Sequence, residues 1–192
     1  RKEWDEVCAP LLTSDEVPLN PFRVTNELVK LVDPDETIVL HDAGTVRGST
    51  CQHYLATKPR AFLGFGVESA MGWTIGAAMG ASKANPQKLV VAVVGEEAFC
   101  ETALDIETSI RNDAPILVIV KNNRRKIDRD GGASDRLAHT RFHQGISPHA
   151  VAEALGAKAY LVDQPGDISK TLEAAISEVK RGHSAVVEFM TT

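Results

Sequence analysis

The sequence predicts an α/β chain: a doubly wound, mostly parallel sheet with helices on both faces. Five apolar, β-branched runs recur along it, Thr37–Leu40, Leu89–Val94, Pro115–Val120, Ala159–Val162 and Ala185–Phe189. Most lack polar alternation, as strands buried on both faces do. Helical patterns lie between the runs, and alternating strand and helix imply right-handed crossovers.

Each element has its own pattern. Val24, Leu28 and Leu31 share one helix face before the first run. Met71 to Ala84 is rich in Ala and Gly and reads as a tightly packed helix. Phe99, Ala103, Ile106 and Ile110 recur at helical spacing between the second and third runs, as do Ile168, Leu172, Ala175 and Val179 before the last. Residues 1–17, with Pro10 and scattered charges, read as a linker from a missing upstream region, and residues 18–192 as one domain. The charged stretch from Arg124 to Ile146 contains Gly131-Gly132 and reads as a functional or mobile loop.

Composition bounds the function. The 192 residues are 43% hydrophobic and 24% charged, which is globular usage. A net charge of -5 argues against nucleic-acid or anionic-membrane partners. No apolar stretch reaches the roughly 18 residues of a membrane span. Cys8, Cys51 and Cys100 are few, odd in number and far apart, which fits a reducing cytoplasm. The chain opens on Arg1 without an initiator Met, so a fragment of a longer protein is expected.

Ligands of such sheets bind beyond the carboxyl ends of the strands. His41-Asp42-Ala43-Gly44-Thr45 follows the first run, Gly95-Glu96-Glu97-Ala98-Phe99 the second, and Lys121-Asn122-Asn123-Arg124-Arg125 the third. A glycine at a strand end before a helix offers free N–H groups to a phosphate. A carboxylate at Glu96 and an amide oxygen at Asn123 are hard ligands suited to Mg²⁺ or Ca²⁺. Spacing alone favours a simpler reading, in which Glu96 and Glu97 complement a helix dipole and Asn122-Asn123 turn the chain.

A family resemblance favours the cation-binding reading. Gly95-Glu96-Glu97 followed by Asn122-Asn123 resembles the Gly-Asp-Gly…Asn-Asn cofactor motif of thiamine diphosphate (ThDP) enzymes. Pro18 to Val24, then Ile38 to Gly44, look like the entry to the diphosphate-binding domain of the acetolactate synthase and 2-oxo-acid decarboxylase group. Ser69-Ala70-Met71-Gly72 through Ala81 resembles that group's Gly-Thr-Met-Gly…Ala-Ala-Ile-Gly-Ala stretch, and the tail from His149 to Phe189 fits as well. The resemblance implies the ThDP-binding fold, with metal ligands at Glu96, Asn123 and the backbone carbonyl of Arg125. It implies diphosphate contacts from Gly44, Thr45, Val46, Gly95, Glu97 and Ala98, and pyrimidine contacts from the backbone at Ser69 and Met71. Met71 would be the wedge beneath a bent cofactor, with Mg²⁺ (or Ca²⁺) as the ion.

The resemblance also implies activity: cleavage or formation of a C–C bond next to a carbonyl, on a 2-oxo acid or another carbonyl substrate. The activating Glu of the family sits on a pyrimidine-binding domain or subunit, so no catalytic residue is expected in this fragment, which alone should be inactive. A homodimer or tetramer follows. Two alternatives stand beside this one: the β-subunit of a two-chain decarboxylase of an anionic substituted pyruvate, and a degenerate, non-catalytic domain kept for assembly.

The sequence departs from the motif at Glu96, one methylene longer than Asp, at Glu97 in place of Gly, at Ser69 in place of Gly, and at Arg124-Arg125-Lys126. Cys51 and Cys100 read by default as small buried hydrophobes. Trp73 reads as core and His41-Asp42 as a structural hydrogen bond or a substrate-orienting pair. His139 and His143 read as part of a polar loop. Gly64-Phe65-Gly66 lacks the third Gly of a dinucleotide fingerprint.

Overall fold

The computed structural model describes residues 2–68, 70–124, 145 and 147–192. Its strands are β1 (Thr37–His41), β2 (Phe62–Leu63), β3 (Leu89–Gly95), β4 (Leu117–Asn122), β5 (Lys158–Val162) and β6 (Ala185–Met190). They form one sheet in the order β2-β1-β3-β4-β6-β5, and every pairing is parallel. The helices are α1 (Lys2–Leu12), α2 (Pro21–Leu31), α3 (Thr45–His53), α4 (Trp73–Ala84), α5 (Glu96–Thr102), α6 (Asp105–Arg111), α7 (Pro148–Ala154) and α8 (Ile168–Lys180).

The period-two geometry of a strand explains the two cores. Val39, Val91, Val93, Leu117, Ile119, Val187 and Phe189 pack with Val24 and Leu28 of α2 and with Ile168, Leu172 and Val179 of α8. Their neighbours Ile38, Leu40, Val90, Ala92, Val94, Val118, Val120 and Val186 pack on the other face with Ile75, Phe99, Ile106 and Ala152. The central strands are therefore buried on both faces, as their unbroken apolar runs require.

The strand expected at Ala159–Val162 forms as β5 at the sheet edge, and Lys158 and Leu161 are exposed because no strand among the described residues pairs beyond it. Three elements differ from the sequence expectation. β2 is only two residues long, paired through Val39 with Phe62 and Leu40 with Leu63, too short for a periodic signal. The helical run from Phe99 to Ile110 breaks into α5 and α6. There Ile106 N–H donates to Ala103 O at 3.0 Å and Glu107 N–H to Leu104 O at 3.1 Å, so the chain tightens to i→i−3 bonds and Leu104 turns outward. Residues 2–12 are helical where the sequence suggests an open linker. Cys8 is buried, and Asn26 Nδ2 of α2 donates to Leu12 O at 2.9 Å, which holds α1 against α2.

Among the described residues, no helix is long and apolar enough to cross a membrane.

Candidate functional site

The chain leaves β1 for β2 on one side, then crosses back to β3 on the other. The winding direction thus reverses between β1 and β3, and a crevice opens beyond their carboxyl ends. Register fixes what meets there. His41 lies opposite Val93, and Gly95 lies opposite Lys121. Neighbouring strands run about 5 Å apart. Glu96 follows Gly95, and Asn122-Asn123 follow Lys121, so the acidic pair and the tandem amides share one edge of the sheet. Glu96 is buried and Glu97 half-buried.

The loop after β1 opens α3 at Gly44, whose φ of 78° is a left-handed conformation suited to glycine. Among the described residues no side chain caps this helix, and Gly44 and Thr45 are exposed while Val46 is buried in the core. The first N–H groups of α3 thus lack a capping side chain. α5 starts directly at Glu96, also without a side-chain cap.

Asp42 ties this loop to the next. It is fully buried, and its Oδ1 accepts from Ala43 N–H at 2.7 Å and from Gly72 N–H at 3.3 Å. Its Oδ2 is buried without a hydrogen-bond partner among the described residues. Gly72 is left-handed, with φ 78°, and a Cβ there would meet Thr102 Cγ2 at 3.0 Å and Glu101 Oε2 at 3.1 Å. A side chain there would be strained, so glycine suits the turn that packs on α5, and the neighbouring Met71 is 39% exposed.

Two charged residues in otherwise apolar strands complete the edge. Lys121 is buried, and its Nζ donates to Pro21 O at 2.9 Å, Thr25 Oγ1 at 2.6 Å and Ser49 Oγ at 2.8 Å. Burial lowers this amine to about 7. Glu188 of β6 is buried on the opposite face, where it accepts from Asn122 Nδ2 at 2.6 Å, from His149 N–H at 3.0 Å, and pairs with His149 Nδ1 at 2.6 Å. Neither residue emerges from motif reading. The available signal was a charge inside a run buried on both faces, Ile119-Val120-Lys121 and Val186-Val187-Glu188.

His41 is buried: its Nδ1 lies 3.1 Å from Asp42 O, and its ring packs on Phe62 and Phe65. Trp73 packs partly buried against the second core. Cys51 and Cys100 are exposed, and Cys8 is the buried thiol, which corrects the expectation for both. Each lies on the outer side of a short helix. Partial burial pushes both thiols up, and at Cys100 the carboxylates of Glu96, Glu188 and Glu101 add to this. Among the described residues, no group of three or more His, Cys, Asp and Glu is placed to hold a metal. The expected donor set is mixed, and Ser69, Arg125, His139 and His143 lie outside the described residues.

Residues 42–189 match the family described as "Thiamine pyrophosphate enzyme, C-terminal TPP binding domain". The chain is 31% identical over 187 residues to a 2-hydroxyacyl-CoA lyase of Oryza sativa subsp. japonica, covering 92% of this chain and 32% of that protein. It is 27% identical over 184 residues to a probable acetolactate synthase large subunit of Methanocaldococcus jannaschii, covering 91% and 31%. It is 28% identical over 179 residues to a sulfoacetaldehyde acetyltransferase of Alcaligenes xylosoxydans xylosoxydans, covering 91% and 29%. The chain thus spans about a third of the length of these relatives. The match takes in the switch-point loops and five of the six strands, β2 to β6, and the chain belongs to the C-terminal TPP-binding domain family of thiamine pyrophosphate enzymes.

Proposed function

We propose that this chain holds the diphosphate of ThDP through a divalent cation, as one domain of a 2-oxo-acid decarboxylase or carboligase. The observation that carries the reading is the register of Gly95 opposite Lys121, which brings the acidic pair and the tandem amides to one edge. The donor chemistry fits. A carboxylate at Glu96 and an amide oxygen at Asn123, with the backbone carbonyl of Arg125, are the hard oxygen ligands that Mg²⁺ or Ca²⁺ takes. Among the described residues, the start of α3 is uncapped by any side chain and Asp42 Oδ2 has no partner, which also suits a polar ligand in this crevice.

Bound ThDP supplies a thiazolium that serves as an electron sink beside a carbonyl carbon. The chain's own residues do the holding. Backbone N–H groups of Gly44, Thr45 and Val46, and those of Glu97 and Ala98 beyond Gly95, would donate to phosphate oxygens at helix N-termini. Met71 would support the cofactor from the turn before α4, and the backbone at residues 69 and 71 would hold its pyrimidine. The activating carboxylate comes from a pyrimidine-binding domain or a second subunit, in a dimer or tetramer of cytoplasmic protein. Val67 and Met71, 92% and 39% exposed, suit coverage by such a neighbour.

Glu97 favours a second reading, a degenerate domain that keeps the fold for assembly, because it sets another carboxylate beside the diphosphate position. Calorimetry of ThDP with Mg²⁺ against the full-length protein separates the two. Saturable heat at micromolar ligand supports cofactor binding; no heat at millimolar ligand favours the degenerate domain.

A further inference from the structure

We propose that Glu188 is a positioning residue that shapes the turn carrying Asn123, before any metal arrives, by fixing the orientation of the Asn122 amide. The inference rests on the cation-binding reading given above.

The chain of contacts is short. Asn122 is fully buried at the end of β4. Its Oδ1 accepts the Arg124 N–H at 2.8 Å, closing a turn around Asn123. Arg124 there adopts φ 56°, a left-handed conformation that a residue with a side chain avoids unless something holds it. What holds it is the amide oxygen of Asn122. An amide can be turned over, exchanging its oxygen and nitrogen, and the turned-over amide would present N–H to N–H at Arg124. The Glu188 carboxylate forbids this. Its Oε1 accepts from Asn122 Nδ2 at 2.6 Å, and this bond sets the Asn122 orientation with Nδ2 toward β6 and Oδ1 toward Arg124. The second oxygen of Glu188 takes both the N–H and Nδ1 of His149 at the start of α7. One buried carboxylate therefore grips the chain at Asn122 and again at His149, on either side of the segment joining β4 to α7.

Sheet geometry explains why a strand residue does this. Val120 lies opposite Glu188 and Asn122 opposite Met190. Residues 120, 122, 186 and 188 face the same side by alternation. Glu188 thus stands one strand over and one step below Asn122, within reach of its amide. Groups that hold a metal ligand's surroundings in place matter to affinity almost as much as the ligands themselves.

The test measures Mg²⁺ affinity by calorimetry at saturating ThDP, and thermal stability alongside, in the full-length protein. Glu188→Met removes the acceptor at nearly constant volume and should weaken Mg²⁺ binding about ten- to a hundredfold. Glu188→Gln keeps an oxygen for Asn122 and should restore most of that affinity. His149→Ala leaves the Asn122 bond intact and should lower the melting temperature while Mg²⁺ affinity stays near the wild-type value. Unchanged affinity in Glu188→Met, or losses that follow the melting temperature across all three variants, overturns the proposal.

Hydrogen exchange on the metal-free wild type decides the matter if Glu188→Met fails to fold. The Asn122 side-chain amide and the Arg124 N–H should exchange slowly, and rapid exchange at either overturns the pre-shaped turn. If the wild type binds no Mg²⁺ with ThDP, the cofactor reading fails, while the exchange measurement still tests the turn.

Discussion

Glu97 is the residue on which affinity turns. Glycine at this position lets a backbone approach a phosphate; Glu97 adds a half-buried carboxylate instead. Like-charge repulsion at this range costs on the order of 1–4 kcal/mol, or roughly ten- to a thousandfold in affinity. Glu97→Gly should therefore tighten ThDP binding in the full-length protein, read by calorimetry. Unchanged or weaker binding would mean that Glu97 points away from the diphosphate. Gly72 makes a different demand, since its φ of 78° and the close approach of Thr102 strain any side chain placed there. Gly72→Ala should cost about 1–3 kcal/mol of stability, read by thermal melting.

Elements were legible where periodicity was strong. The runs at Leu89–Val94 and Ala185–Phe189 read as strands because burial on both faces leaves no polar alternation to confuse them. β2 was not legible, since two residues carry no period. α1 read as a linker because Pro10 breaks the helical pattern and Trp4 and Val7 remain exposed, so its packing rests on Cys8 and a few polar ties. α2 shows how a polar tie joins elements. Glu27 lies buried between Arg23, Lys30 and Ser169 of α8. Burial alone would raise its carboxyl, but the bonds from Lys30 and Ser169 and the nearby charges of Lys30 and Arg23 hold it below its ordinary 4.5. A lowered carboxyl adds stability above the unfolded value and loses it as pH falls through the folded one. Glu27→Gln should cost about 1–3 kcal/mol at pH 7. That difference should shrink toward zero as the pH drops below 4.5 toward the folded carboxyl's own value, and urea melts across pH check it. A penalty independent of pH would show that lost packing, not charge, is responsible.

At the scale of the whole molecule, strand order decides where a site can form, and a list of strands does not reveal order. The sequence placed candidate loops after β1, β3 and β4 without saying that β1 and β3 are neighbours or that Gly95 sits against Lys121. The family resemblance did bring Glu96 and Asn123 into one hypothesis. The buried charges Lys121 and Glu188 escaped because each acts through contacts between residues distant in sequence. The account depends on a cation bridging those loops to a pyrophosphoryl group. ³¹P resonances of ThDP bound to the full-length protein, titrated with Mn²⁺, test it most directly. The account predicts that Mn²⁺ broadens both phosphorus signals at stoichiometric metal, and that Glu96→Ala demands far more Mn²⁺ for the same broadening. Sharp signals in the wild type, or broadening that Glu96→Ala leaves unchanged, would contradict it.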